Sequence, residues 1–107
     1  MVEIHSWEDF KTIISFEDKG GEPIDSCTMM FKFIYRDEAG SSYEVSYDGK
    51  TRVNCVCTDG QLFGIFNANA FRRGLLTCER HFASPDSDFA DGEWNYGGTT
   101  ATNITII

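Results

Sequence analysis

Residues 54–92 read NCVCTDGQLFGIFNANAFRRGLLTCERHFASPDSDFADG, and this stretch decides the fold class. Three short apolar runs, 53–57, 62–66 and 75–82, are set among turn signals. No helical periodicity of useful length fits inside it. Asp59-Gly60 separates the first two runs, and Asp-Gly between apolar segments signals a hairpin, because both residues tolerate the positive φ of a tight primed turn. Gly74 opens the third run, and a Ser/Pro/Asp loop closes it.

Four further strands follow on either side. Residues 10–16 place Phe10, Ile14 and Phe16 on one face, and residues 29–35 (MMFKFIY) place Met29, Phe31, Phe33 and Tyr35 on one face. Residues 43–47 alternate Tyr43, Val45 and Tyr47 against Ser42, Glu44 and Ser46, the pattern of a strand with one wet face. Residues 101–107 put Ile104 and Ile106 together. Leu76, Cys78 and Phe82 point inward from the third run, and Thr77, Glu79 and His81 point outward. Residues 67–73 are expected to hold a short helical turn. Seven short strands with closely spaced turns predict an all-β sandwich or small barrel. At 107 residues the chain is one domain, 1–107, with residues 1–9 expected to be disordered. Nine Phe supply much of its core.

The net charge is -8, from 17 acidic and 9 basic residues. That balance argues against nucleic acid and anionic membranes as partners, since both would repel it. The first twenty residues have neither a basic n-region nor an apolar h-region, so a signal peptide is not expected. No apolar run approaches the roughly 18 residues of a membrane span. Cys27, Cys55, Cys57 and Cys78 fit reduced thiols or two disulfides; Cys55 and Cys57 share a strand face and should not bond each other. Without a signal peptide, thiols are favoured. A zinc site would want ligand pairs at C-x2–4-C spacing, which a CxC with two distant partners does not supply.

Several constellations invite a chemical reading. His81, Ser84 and Asp86 are the residue types of a hydrolase triad, but they are nearly consecutive, whereas triad members converge from separate elements. Asp86, Asp88 and Asp91 before Gly92 form a weak calcium candidate; their spacing departs from the EF-hand pattern, and Asp is also the usual turn-capping residue. Trp94 and Tyr96 share a face if extended, and with Trp7 they could form a sugar-stacking platform, a lid over one end of the core, or a protein contact. Arg72-Arg73 is too small a basic patch for nucleic acid. Gly20-Gly21 and Gly97-Gly98 are not phosphate loops, because no strand-to-helix turn or Lys-Ser/Thr follows them.

From Phe10 onward the layout resembles a family of phage and prophage structural domains of Bacteroidales, the N-terminal immunoglobulin-like domains of baseplate or tail appendage proteins. Residues 14–23 (ISFEDKGGEP), Val53-Asn54-Cys55, Gly74-Leu75-Leu76-Thr77-Cys78-Glu79 and the acidic loop 85–92 carry the resemblance. It implies an antiparallel immunoglobulin-like β-sandwich of about seven strands. It also implies a non-catalytic virion assembly module without cofactors. Its partners would be other virion or tail proteins, or further copies of itself, and a small-molecule ligand is not expected. Trp94, Tyr96, Phe71 and Arg72 are the expected contact residues. The loop 67–73 (NANAFRR) is more basic and aromatic than the resemblance leads one to expect. The module would reside in the bacterial cytoplasm during assembly and then in the phage particle. The alternative is a carbohydrate-binding module using the exposed aromatics, with calcium at the acidic loop.

Overall fold

A computed structural model describes every residue except Lys19 and Asp86, with backbone alone at Ser84, Pro85 and Trp94. The chain is all-β, with eleven strands and no α-helix among the described residues. In chain order the strands are β1 (Val2–Ile4), β2 (Phe10–Ile14), β3 (Phe16–Glu17), β4 (Pro23–Ile24), β5 (Phe31–Arg36) and β6 (Ser42–Tyr47). Then come β7 (Arg52–Val53), β8 (Cys55–Thr58), β9 (Gln61–Phe66), β10 (Gly74–Pro85) and β11 (Glu93–Ile106). One sheet has six strands in the order β1-β11-β10-β5-β6-β7, a second has three in the order β2-β9-β8, and β3 pairs with β4. The two main sheets pack sandwich-like around one core, although β1 runs parallel to β11, so the larger sheet is mixed.

The alternation read from the sequence sets the core. Phe31, Phe33, Tyr35, Val45, Leu76, Ile104 and Ile106 are buried from the larger sheet and Leu62 and Phe66 from the smaller, with Met29 buried just before β5. The Asp-Gly hairpin forms between β8 and β9, with Asp59 and Gly60 at φ 52° and 78°, the primed turn that suits strand twist. Asn54, at φ 53°, moves the chain from one sheet to the other. Its side-chain amide donates to the Glu44 carbonyl at 2.8 Å, and its own carbonyl accepts from Ile65 N–H at 2.8 Å. That single residue splits the expected strand 53–57 into β7 and β8.

Four expectations are corrected. Residues 1–9 are ordered in part: β1 pairs with β11, Ser6 N–H donates to the Ile107 carbonyl, and Asp9 accepts from Ala68 N–H. The helical turn expected in 67–73 is absent; the segment forms non-helical turns. Phe71 is 3% exposed and packs near Tyr43 and Phe66, so it is core and not a contact residue. The four-thiol reading also fails. Asp25 caps a 3-10 turn, Ser26–Thr28, that lays Cys27 over β8, where it forms a disulfide with Cys57. Cys55 and Cys78 remain free. Nothing in the spacing of the cysteines announces this pairing, since it depends on where one short turn lands.

Asp37 ties the β5–β6 turn to the β9–β10 connection. Its carboxylate accepts from the backbone N–H groups of Ala39, Ser41, Arg72 and Arg73 at 3.0, 2.8, 2.7 and 3.4 Å. Burial pushes its pKa up, but those four donors outweigh burial and hold it below the ordinary carboxylate value. A depressed folded-state pKa contributes stability above the unfolded pKa of about 4, lost as pH falls from there through the folded value. Asp37→Ala should cost about 3 kcal/mol at pH 7, because it strands donors as well as removing a charged acceptor. In urea titrations the gap between wild type and variant should close below about pH 4. A gap that persists unchanged in acid would show that the ionised carboxylate is not the clamp.

The disulfide gives a second expectation. Denaturing alkylation of air-oxidised protein should add two adducts without reductant and four with it. Reduction should cost about 3.6 kcal/mol for the closed loop set by a sequence separation of 30. Four adducts without reductant would overturn the pairing.

Candidate functional site

The longest hairpin builds the site. Strands β10 and β11 pair from Gly74↔Ile106 out to Pro85↔Glu93. The molecule's longest dimension, 44 Å, is about what the fourteen residues of β11 span at ~3.3 Å each. On its other side, among the described residues, β11 pairs with β1 alone, at Ile104, Thr105 and Ile106. Residues 93–103 therefore present an edge with no strand partner among the described residues. Between Glu93 and Asn103 that edge has no Lys, Arg, Asp, Glu or Pro, the residues with which sheet proteins usually block such edges. Strand β2, at the border of the smaller sheet, likewise pairs only with β9 among the described residues and exposes Ile13 at 65%.

A groove of about 510 Å³ lies between these two free edges. Ile14, Phe16, Phe33 and Phe82 make it apolar, with Thr100 and Thr102 on the β11 side. It exists because the smaller sheet is too narrow to cover the inner face of the larger one. Arg80 also lines it, from the inward face of β10. Its guanidinium sits 5.9 Å from the Tyr96 ring centroid, and its Nε is buried without an acceptor. Among the described residues no carboxylate pairs with it, although the chain has 17 acidic groups. Tyr35 and Cys78 border the same groove. Burial pushes the Cys78 thiol up to about 11, and burial followed by the neighbouring Cys78 raises the Tyr35 phenol further. Both groups stay protonated at neutral pH, so neither is an activated nucleophile.

A larger hollow, about 730 Å³, lies on the opposite, outer face near Met30, Val53, His81 and Asn95. Neighbouring charges on that face are already matched: Lys32 with Glu44 at 3.7 Å and Arg36 with Glu79 at 3.0 Å. Hydrogen bonds from His81 and then Arg36 hold Glu79 below the ordinary carboxylate range. The smaller groove is the better candidate because it alone combines an unpaired cation with a free edge.

The sequence-derived candidates scatter. His81 is exposed and partnered by Glu79 at 2.8 Å, while the Ser84 side chain and Asp86 lie outside the described residues. Asp91 accepts from Glu93 N–H at 3.0 Å and the Asn95 amide at 3.3 Å, as a turn-capping residue does. Among the described residues, which leave out Asp86 but include Asp88, no three such groups cluster to hold a metal ion. Tyr96 stacks on Phe82 at 5.0 Å on the inner face of the hairpin. The Trp94 side chain lies outside the described residues. Trp7 stacks on His5 beside the far end of β11, roughly 35 Å along the strand from Tyr96, so the three aromatics do not form one platform. Arg72 is exposed, with its backbone N–H held by Asp37. The edge is poorly marked in the sequence, since residues 92–98 carry few apolar side chains; the alternation of Tyr96, Gly98, Thr100 and Thr102 continuing into Ile104 is its signal. No protein-family model matches the chain, and neither a curated protein nor a solved structure matches it.

An unpaired buried donor costs stability, so Arg80→Met, which keeps an apolar stem and removes that donor, should stabilise the isolated chain by about 1 kcal/mol. Urea denaturation checks this. A loss of 1 kcal/mol or more would mean that Arg80 is satisfied within the fold.

Proposed function

We propose that this chain is a non-catalytic assembly module that joins other proteins by sheet extension along β11. The layering of the two main sheets is read here as immunoglobulin-like, and the setting as a phage or prophage tail or baseplate appendage, as the sequence resemblance implies. One observation supports the reading above all: residues 93–103 form a long edge, unpaired among the described residues, with no charge after Glu93 and no Pro. Such an edge offers a row of backbone donors and acceptors to an incoming strand, and strand addition gains affinity from that ladder. The chemistry of the polar groups agrees. His81 is engaged by Glu79, and Cys78 is a buried, protonated thiol. The carbohydrate alternative has less support, because Tyr96 faces inward onto Phe82 and Trp7 lies far along the strand.

A neutral peptide of alternating Val and Thr, added at millimolar concentration, should slow amide exchange across residues 94–102 about tenfold. Thr99→Lys with Ala101→Lys should remove that protection while leaving the melting temperature nearly unchanged. If exchange is unaffected by the peptide, and light scattering shows a monomer at every concentration, sheet extension is not how this protein works.

A further inference from the structure

We infer that the lane beside residues 94–102 receives an extended acidic segment of a separate partner protein, whose inward-facing carboxylate pairs with Arg80. This rests on the assembly reading and adds the partner's chemistry to it. Strand β1 marks the lane, since it lies beside β11 at Ile104–Ile106 and stops there. A strand continuing that lane toward Glu93 would turn alternate side chains into the groove, above Phe16, Phe33 and Phe82.

Arg80 sits directly across β11 from that lane. Its cross-strand partner is Gly98, which has no side chain of its own to block a newcomer, and the Tyr96 ring borders the approach, its hydroxyl 3.5 Å from where a Cβ at Gly98 would sit. The Arg80 Nε is buried without an acceptor, and a buried donor of this kind calls for one. A carboxylate also matches the guanidinium fork, which favours bidentate pairing. The other acids near the groove, Glu17 and Asp18, come from the β3 end, and Asp18 already accepts from Gly20 and Glu22 N–H.

A second copy of this chain does not meet the requirement. Paired edge to edge through β11, it would present Tyr96, Gly98, Thr100 and Thr102 on the inward face, none of them acidic. Glu93, the one acid of the strand, falls on the opposite face. A small free carboxylate could pair with Arg80 but would leave the edge open. An acidic, otherwise apolar strand satisfies the cation, the groove and the edge together.

The test uses the full chain and two alternating Val/Thr nonapeptides that differ only in a central Glu or Gln, followed by NMR titration and amide exchange. The Glu peptide should bind about tenfold more tightly than the Gln peptide, the effect of one charge-assisted pair. Both should protect residues 94–102. Arg80→Met should abolish the preference, and Arg80→Lys, which keeps the charge but loses the Nε donor, should reduce it. Equal binding of the two peptides, or a preference that survives Arg80→Met, overturns the acidic partner while leaving sheet extension intact. If neither peptide protects the edge, both readings fall. Acetate perturbing Arg80 while neither peptide binds would assign the site to a small carboxylate. A dimer lost in Thr99→Lys/Ala101→Lys but indifferent to Arg80→Met would assign the edge to a second copy. Either result overturns the proposal.

Discussion

Phe66 is the contact on which the rest of the fold depends. It is fully buried, and four rings close on it: Phe10 at 4.6 Å, Tyr35 at 4.9 Å, Tyr43 at 5.2 Å and Phe71 at 6.1 Å. Those rings come from β2, β5, β6 and the β9–β10 connection, so one side chain holds both main sheets and the loop between them. Aromatic rings supply large buried area with directional edge and face preferences, which makes such a cluster both strong and selective in geometry. The Tyr43 hydroxyl reinforces it by donating to the Ile65 carbonyl at 2.8 Å. The cluster sits where the smaller sheet lies over β5 and β6. It does not reach the β10–β11 side, and this offset leaves one flank of the larger sheet's inner face without a facing strand.

How much of this was legible follows from the physics of each element. The alternation in residues 29–35 announced β5 and its buried face, because a strand with one wet side writes its geometry into the sequence at period two. Asp59-Gly60 announced its hairpin because the turn demands positive φ at both positions. The β10–β11 arm was half hidden. Its outer half buries little, so Glu93-Trp94-Asn95-Tyr96-Gly97-Gly98 lacks the apolar alternation that marks a strand and reads as a loop. β1 is three residues long and owes its place to pairing with β11, which no local pattern encodes. Phe71 looked like a surface aromatic because it stands beside two arginines; Asp37, distant in sequence, holds the backbone of both and turns the ring inward.

The candidate site was less legible than the fold for a related reason. Residue types can nominate acids, histidines and aromatics, but the decisive facts here are a vacant lane and an unsatisfied donor. Both are properties of what does not pair, and they emerge only from topology. Arg80 illustrates this. In sequence it sits in Cys-Glu-Arg-His, among residues that look catalytic or merely charged. In the fold its neighbours in sequence, Glu79 and His81, face outward and pair with each other, while Arg80 alone faces in.

An open, nearly charge-free edge carries a hazard, since it can pair with any extended chain. The arrangement around β11 limits that hazard without closing the lane. Asp88, Asp91 and Glu93 lie in and beside the turn between β10 and β11, and the chain as a whole is at -8, so copies repel one another at long range. The same repulsion would apply to an acidic partner at a distance, screened beyond roughly 8 Å at physiological ionic strength. Inside the groove the balance reverses, because the half-buried Arg80 guanidinium, whose Nε is shielded from water, favours a directly paired carboxylate more than distant solvent-exposed acids oppose it. Long-range charge therefore opposes casual pairing, and one half-buried cation rewards the right strand once it is seated. Specificity then lies in a single inward position, with the backbone ladder supplying sequence-independent affinity along the rest of the lane.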